Sequence, residues 1–102
     1  MFTGHESHDI SLNDASEMTA EYRRQNPNGI KGAFFGRDAI EAILAQTACV
    51  GIRYYYGLDA AGEQKLILVG ADKFENDLHT GLLAEFAEPC PNQCSQDNPL
   101  NS

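Results

Sequence analysis

Residues 49–57 (Cys49-Val50-Gly51-Ile52-Arg53-Tyr54-Tyr55-Tyr56-Gly57) are crowded with β-branched and aromatic side chains and read as a strand. Asp59-Ala60-Ala61-Gly62 reads as a turn, with Gly62 free to take positive φ. A second strand follows at 64–71, around Lys65-Leu66-Ile67-Leu68-Val69, and stops at Gly70. The pair predicts an antiparallel hairpin, and a chain this short must build its core around it.

Strand side chains alternate between faces. On the first strand, Val50, Ile52, Tyr54, Tyr56 and Leu58 form one face, expected to be core. Cys49, Gly51, Arg53, Tyr55 and Gly57 form the other, a mixed face with one cation and one phenol. The second strand is apolar on both sides, with Leu66 and Leu68 opposed to Ile67 and Val69. Such a strand is usually covered on both faces. Two short helices leave surplus apolar surface, which points to a homo-oligomer or another protein partner.

A loop of 59–62 sets Leu58 opposite Glu63, Gly51 opposite Gly70, Arg53 opposite Leu68 and Tyr54 opposite Ile67. Two opposed glycines beside Arg53 and Tyr55 form a shallow hollow, so Gly51, Arg53, Tyr55 and Gly70 are a candidate small-ligand or anion site. The simpler reading pairs Arg53 with a carboxylate and uses the glycines for close packing. A slip of one residue would change every pairing, and the doubly apolar strand does not exclude it.

The rest of the chain supplies helices. Ser11-Leu12-Asn13-Asp14 has the form of a capping box. Leu12, Ala15, Met18 and Tyr22 give an apolar face to a helix over 12–25, ended by Asn26-Pro27-Asn28-Gly29. Residues 30–35 are an apolar connector. A second helix is expected at 38–47, capped by Asp38 and Glu41, with Ile40, Ile43, Leu44 and Thr47 on one face. A third strand is expected at 82–87. Residues 89–102, rich in Pro and Cys, read as an irregular loop. The fold class is α+β: two N-terminal helices, then a small antiparallel sheet centred on the hairpin. The expected division is a flexible N-terminus at 1–9, one domain at 10–88 and a tail at 89–102.

The 102 residues fit one domain with a core of its own. Fifteen acidic residues against seven basic give a net charge of −8. The cations are scattered, so no nucleic-acid partner is expected. The N-terminus lacks a basic start and an apolar segment, and no apolar run is long enough for a membrane span. The expected location is cytoplasmic, which suits an odd count of three cysteines.

Cys90 and Cys94 form a C-x3-C pair, and His5 and His8 an H-x2-H pair. Two His and two Cys could hold zinc, the one cofactor the sequence suggests. Cys90 and Cys94 could also form a local disulfide, although two unlinked thiols are the commonest outcome. Cys49 reads as a small buried hydrophobe. The usual hydrolase, phosphate-loop and zinc-protease motifs are missing. Cys94 or Cys49 with His79, and Glu85 on a half-apolar strand, are weak catalytic candidates, and no catalytic residue is assigned.

Phe34-Phe35-Gly36-Arg37-Asp38, the Gly51–Gly57 run, and Pro89-Cys90-Pro91-Asn92-Gln93-Cys94-Ser95 occur together here. The combination resembles a family of small uncharacterised bacterial proteins, over most of residues 10–102. The resemblance implies no activity and transfers no site residue. The leading functional expectation is a non-catalytic cytosolic interaction module that self-associates. The alternative is a small-ligand, anion or metal-binding protein.

Overall fold

In the computed structural model, which describes residues 1–102, the order is α1 (Leu12–Gln25), β1 (Gly32–Phe34), α2 (Arg37–Leu44), β2 (Gly51–Leu58), β3 (Gln64–Ala71), β4 (Leu83–Ala84) and β5 (Glu88–Cys90). The class is α+β, with antiparallel sheets ordered β2-β3-β4 and β1-β5. The chain forms two units, Met1–Glu6 with Phe35–Ala87 and Ser7–Phe34 with Glu88–Ser102. No helix is long and apolar enough to cross a membrane.

In the first unit, Asp59 sets the hairpin. Its carboxylate accepts the N–H groups of Ala61 and Glu63, both at 2.9 Å. Gly62 N–H closes the turn on the Asp59 carbonyl at 2.9 Å, with Gly62 at φ 82°. Asp59 N–H then bonds the Glu63 carbonyl at 3.0 Å. The loop is therefore the three residues 60–62, with a glycine in the left-handed position, a standard hairpin solution. This loop shifts the expected register by one. Gly51 faces Ala71, Ile52 faces Gly70, Arg53 faces Val69 and Tyr54 faces Leu68.

The turn after β3 repeats this plan. Asp72 accepts the N–H groups of Phe74 and Asn76 at 2.9 and 3.0 Å. Glu75 N–H bonds the Asp72 carbonyl, and Asp72 N–H the Asn76 carbonyl, both at 3.0 Å. Glu75, at φ 71°, holds the position that Gly62 holds in the hairpin. The turn brings Asp77 opposite Ala71.

β3 lies between β2 and β4, and its second half is buried on both sides: Leu68, Val69 and Ala71 are at most 5% exposed. With Ile43 of α2, 1% exposed, they make up the core. Any side chain at Gly70 would strike Cys49 Sγ at 2.9 Å and Gln46 Nε2 at 3.0 Å. Gln46 also accepts Leu82 N–H at 2.9 Å, which leads the chain into β4. α2 begins after Gly36, so the expected cap by Asp38 and Glu41 does not form; Asp38 sits in the first turn, where its charge suits the dipole. The helix ends at Leu44 and spans only about 12 Å. Gln46 and Cys49, just past its end, pack at Gly70, the partner of Ile52. The expected core face fails beyond that point: Tyr54, Tyr56 and Leu58 are 58%, 76% and 75% exposed.

In the second unit, Ser11 Oγ accepts Asp14 N–H at 3.0 Å, as the capping signal requires. The apolar stripe of α1 is not its buried face. Leu12, Met18 and Tyr22 are exposed, and no residue of the helix is fully buried. Arg23 instead donates to the carbonyls of Leu100 and Ser102 at 2.6 and 2.9 Å. The tail is not wholly irregular. Gly32, Ala33 and Phe34 pair with Cys90, Pro89 and Glu88, and a two-stranded sheet tolerates proline because both its strands are edges.

Candidate functional site

The expected ligand site is not assembled. Cross-strand partners share a face, so Gly51, Arg53 and Tyr55 lie with Ala71, Val69 and Ile67, and Gly70 lies on the opposite face with Ile52. Gly51 and Gly70 do not oppose each other, and Gly70 is packed under Gln46 and Cys49. The hollow expected between two glycines is absent because the three-residue loop moves β3 by one position.

Arg53 has a carboxylate partner. Its guanidinium donates to Asp77 Oδ1 at 2.5 Å and to the Glu75 carbonyl at 3.1 Å. The Tyr55 hydroxyl donates to Asp77 Oδ2, so each oxygen of one carboxylate takes a different strand residue. The Phe2 ring lies 5.7 Å from the guanidinium, within cation–π range. The Tyr55 hydroxyl and the Arg53 guanidinium hold the Asp77 carboxyl below the usual aspartate value. The bond to Asp77 raises Tyr55, and Arg53 is raised by the same partner. An arginine already matched to a carboxylate is a weak anion receptor, so this cluster acts as a clasp. Sequence reading missed Asp77, because the matched turns that place it are visible only as Asp59…Gly62 and Asp72…Glu75.

The N-terminal lead belongs to the same clasp through Phe2. Phe2 N–H bonds the Lys73 carbonyl at 2.9 Å. Glu6 accepts the N–H groups of Thr3 and Gly4 at 2.7 and 2.9 Å, bonds that lower its carboxyl to about 2.

The proposed zinc ligands divide. Cys90 and Cys94 are joined in a disulfide, with Cα atoms 4.7 Å apart, and disulfide sulfurs are not the thiolate donors zinc uses. The Gln93 N–H bond to the Pro89 carbonyl at 2.9 Å closes the turn that brings them together. This corrects the expectation of unlinked thiols. His5 and His8 fall in different units, and the chain gathers no group of three or more His, Cys, Asp or Glu side chains fit to hold a metal. Cys49 is the free cysteine, and its thiol donates to the Gly51 carbonyl at 3.2 Å. His79 Nδ1 lies 3.3 Å from the Asp77 carbonyl oxygen. Glu85 Oε1 is enclosed without a hydrogen-bond partner.

The other prominent feature is the outer face of β2. Tyr54, Tyr56 and Leu58 share it, all more than half exposed. β2 is also an edge strand of eight residues, whereas the opposite edge, β4, has two. An edge of that length, without proline, lysine or an unpaired charge, is a template for strand addition. No family model, curated protein or solved structure matches this chain.

Proposed function

We propose that this protein is a non-catalytic interaction module that self-associates, and that its working surface is the β2 edge with Tyr54, Tyr56 and Leu58. The observation that supports the reading is the coincidence of an open eight-residue strand edge with three contiguous apolar side chains, 58–76% exposed. Apolar patches of this kind mark interaction sites, and tyrosine supplies contact area with little entropy to lose. Sedimentation velocity from low to high micromolar is the test. A weight-average mass that rises with concentration, and falls back in Tyr56→Lys, is the expected result. A strictly monomeric chain at high micromolar overturns it.

The cytoplasmic location belongs to the same proposal and has its own test. A reducing cytosol keeps Cys90 and Cys94 as thiols. In that compartment the Cys90–Cys94 bond of the structure stands open, so alkylating intact cells with a mass tag before lysis should label both. Protection of both from the tag places the chain in an oxidising compartment instead.

A further inference from the structure

The alternation of the β2–β3 ladder sets which backbone groups are free. Asp59 N–H points across to Glu63. Antiparallel partners alternate between pairs that exchange hydrogen bonds and pairs that do not. Counting back from Asp59, the residues Gly57, Tyr55 and Arg53 bond to β3. Leu58, Tyr56, Tyr54 and Ile52 turn their N–H and C=O groups to the open edge. Gly70, the partner of Ile52, shows the same outward turn on the other strand, since its carbonyl accepts Leu78 N–H at 2.8 Å on the far side.

The outward residues read Ile52-x-Tyr54-x-Tyr56-x-Leu58, a pattern nearly the same in both directions. A two-fold interface requires a patch that complements itself, and an antiparallel palindrome of this kind meets that requirement. We infer that β2 pairs with β2 of a second copy of this chain, antiparallel, about a two-fold axis at Tyr55, to join two three-stranded sheets into one of six. This rests on the self-association proposed above and names its geometry. Ile52 then lies opposite Leu58 of the second copy, and Tyr54 opposite Tyr56 of the second copy. Each of these pairs exchanges two backbone hydrogen bonds. Their side chains meet on one face as aromatic and aliphatic cross-strand pairs, which stabilise sheets. On the other face Tyr55 meets its own copy, and Arg53 stands opposite Gly57.

Charge favours a second copy here despite the net −8. Gly51–Leu58 contains no acidic residue, and its one charge, Arg53, is already bonded to Asp77. The edge is thus a neutral strip on an acidic chain, where like-charge repulsion between copies is least.

The test is cross-linking in a Cys49→Ala background with an added oxidant, copper–phenanthroline. Tyr55→Cys places its thiol opposite itself across a non-hydrogen-bonded pair, at a Cα spacing that a disulfide spans, so it should form a covalent dimer. Leu58→Cys alone should not. Hydrogen exchange supplies a second readout that needs no substitution. The amides of Ile52, Tyr54, Tyr56 and Leu58 should slow as concentration rises, while Arg53, Tyr55 and Gly57 stay protected throughout. Rising mass without a Tyr55→Cys dimer, and without slowing of those four amides, overturns this geometry and leaves the broader self-association standing. A monomer at high micromolar overturns both.

Discussion

The two units hold themselves together by different means. The hairpin unit contains all four buried apolar residues, Ile43, Leu68, Val69 and Ala71. The helix-and-tail unit contains none of them. It has a disulfide, a three-pair strand ladder, and a set of hydrogen bonds from Arg23, Lys31, Asn98 and Asn101. Burial stabilises in proportion to the apolar area removed from water. A covalent cross-link acts mainly by restricting the unfolded chain. The comparison shows how a short chain with one small core can order a segment outside it, by replacing burial with connectivity.

The strongest way to break that contrast is Ile43→Ala. Ile43 is the one large side chain that is almost fully enclosed, and truncation of such a residue costs about 2–5 kcal/mol. Urea denaturation should show a loss of that size, with β2 and β3 amides losing protection first. Retained protection would show that the hairpin does not depend on this core.

Opening the Cys90–Cys94 link comes next. Its loop is short, so Cys90→Ser with Cys94→Ser should cost about 2 kcal/mol. Amide shifts should stay within Ser7–Phe34 and Glu88–Ser102. Equal shifts in β2 and β3 would show that the two units share their stability.

A smaller effect tests the hairpin turn. Gly62 sits at φ 82° with open space around its missing Cβ. Gly62→Ala therefore meets only backbone strain, about 1 kcal/mol. Glu75→Gly removes the matching strain from the second turn and should raise stability slightly. Thermal melts of both variants check the pair, and opposite signs are expected.

The smallest effect is electrostatic. A carboxyl whose folded value is lowered contributes stability that is fully present above its unfolded value and lost as pH falls through the folded one. Glu6, unfolded near 4.5 and folded at about 2, loses its contribution across that window, and Asp77 behaves alike below its ordinary 3.8. Tyr55→Phe removes the larger of the causes that hold Asp77 down. The Asp77 carboxyl should then titrate closer to 3.8 in an NMR pH series, with the Glu6 titration unmoved. An unchanged Asp77 would show that Tyr55 does not hold it down.

Much of the hairpin unit was legible in the residues. The aromatic run, the Asp59…Gly62 turn and the glycine stop located both strands. The Ser11 cap and the Asn26–Gly29 stop bounded α1 at 12–25, which matches Leu12–Gln25. These signals act between residues a few positions apart, so the local order of residues carries them. The candidate site was less legible. Gly51, Arg53 and Tyr55 do share a face, yet the partner that defines them is Asp77, and Gly70 belongs to the other side.

The type and approximate span of the helices and the hairpin strands follow from local chemistry: caps, turn residues and side-chain periodicity. Three things required the folded chain. Register depended on a single residue of loop length, and Leu66–Val69, apolar on both faces, is equally at home in either pairing. α1 meets the tail through Arg23, which donates to the Leu100 and Ser102 carbonyls, while Leu12, Met18 and Tyr22 of its apolar stripe stay exposed. The pairing of Gly32–Phe34 with Glu88–Cys90 joins segments more than fifty residues apart. Contacts at that separation carry no local pattern, because their energy exists only once the intervening chain has folded and brought the ends together.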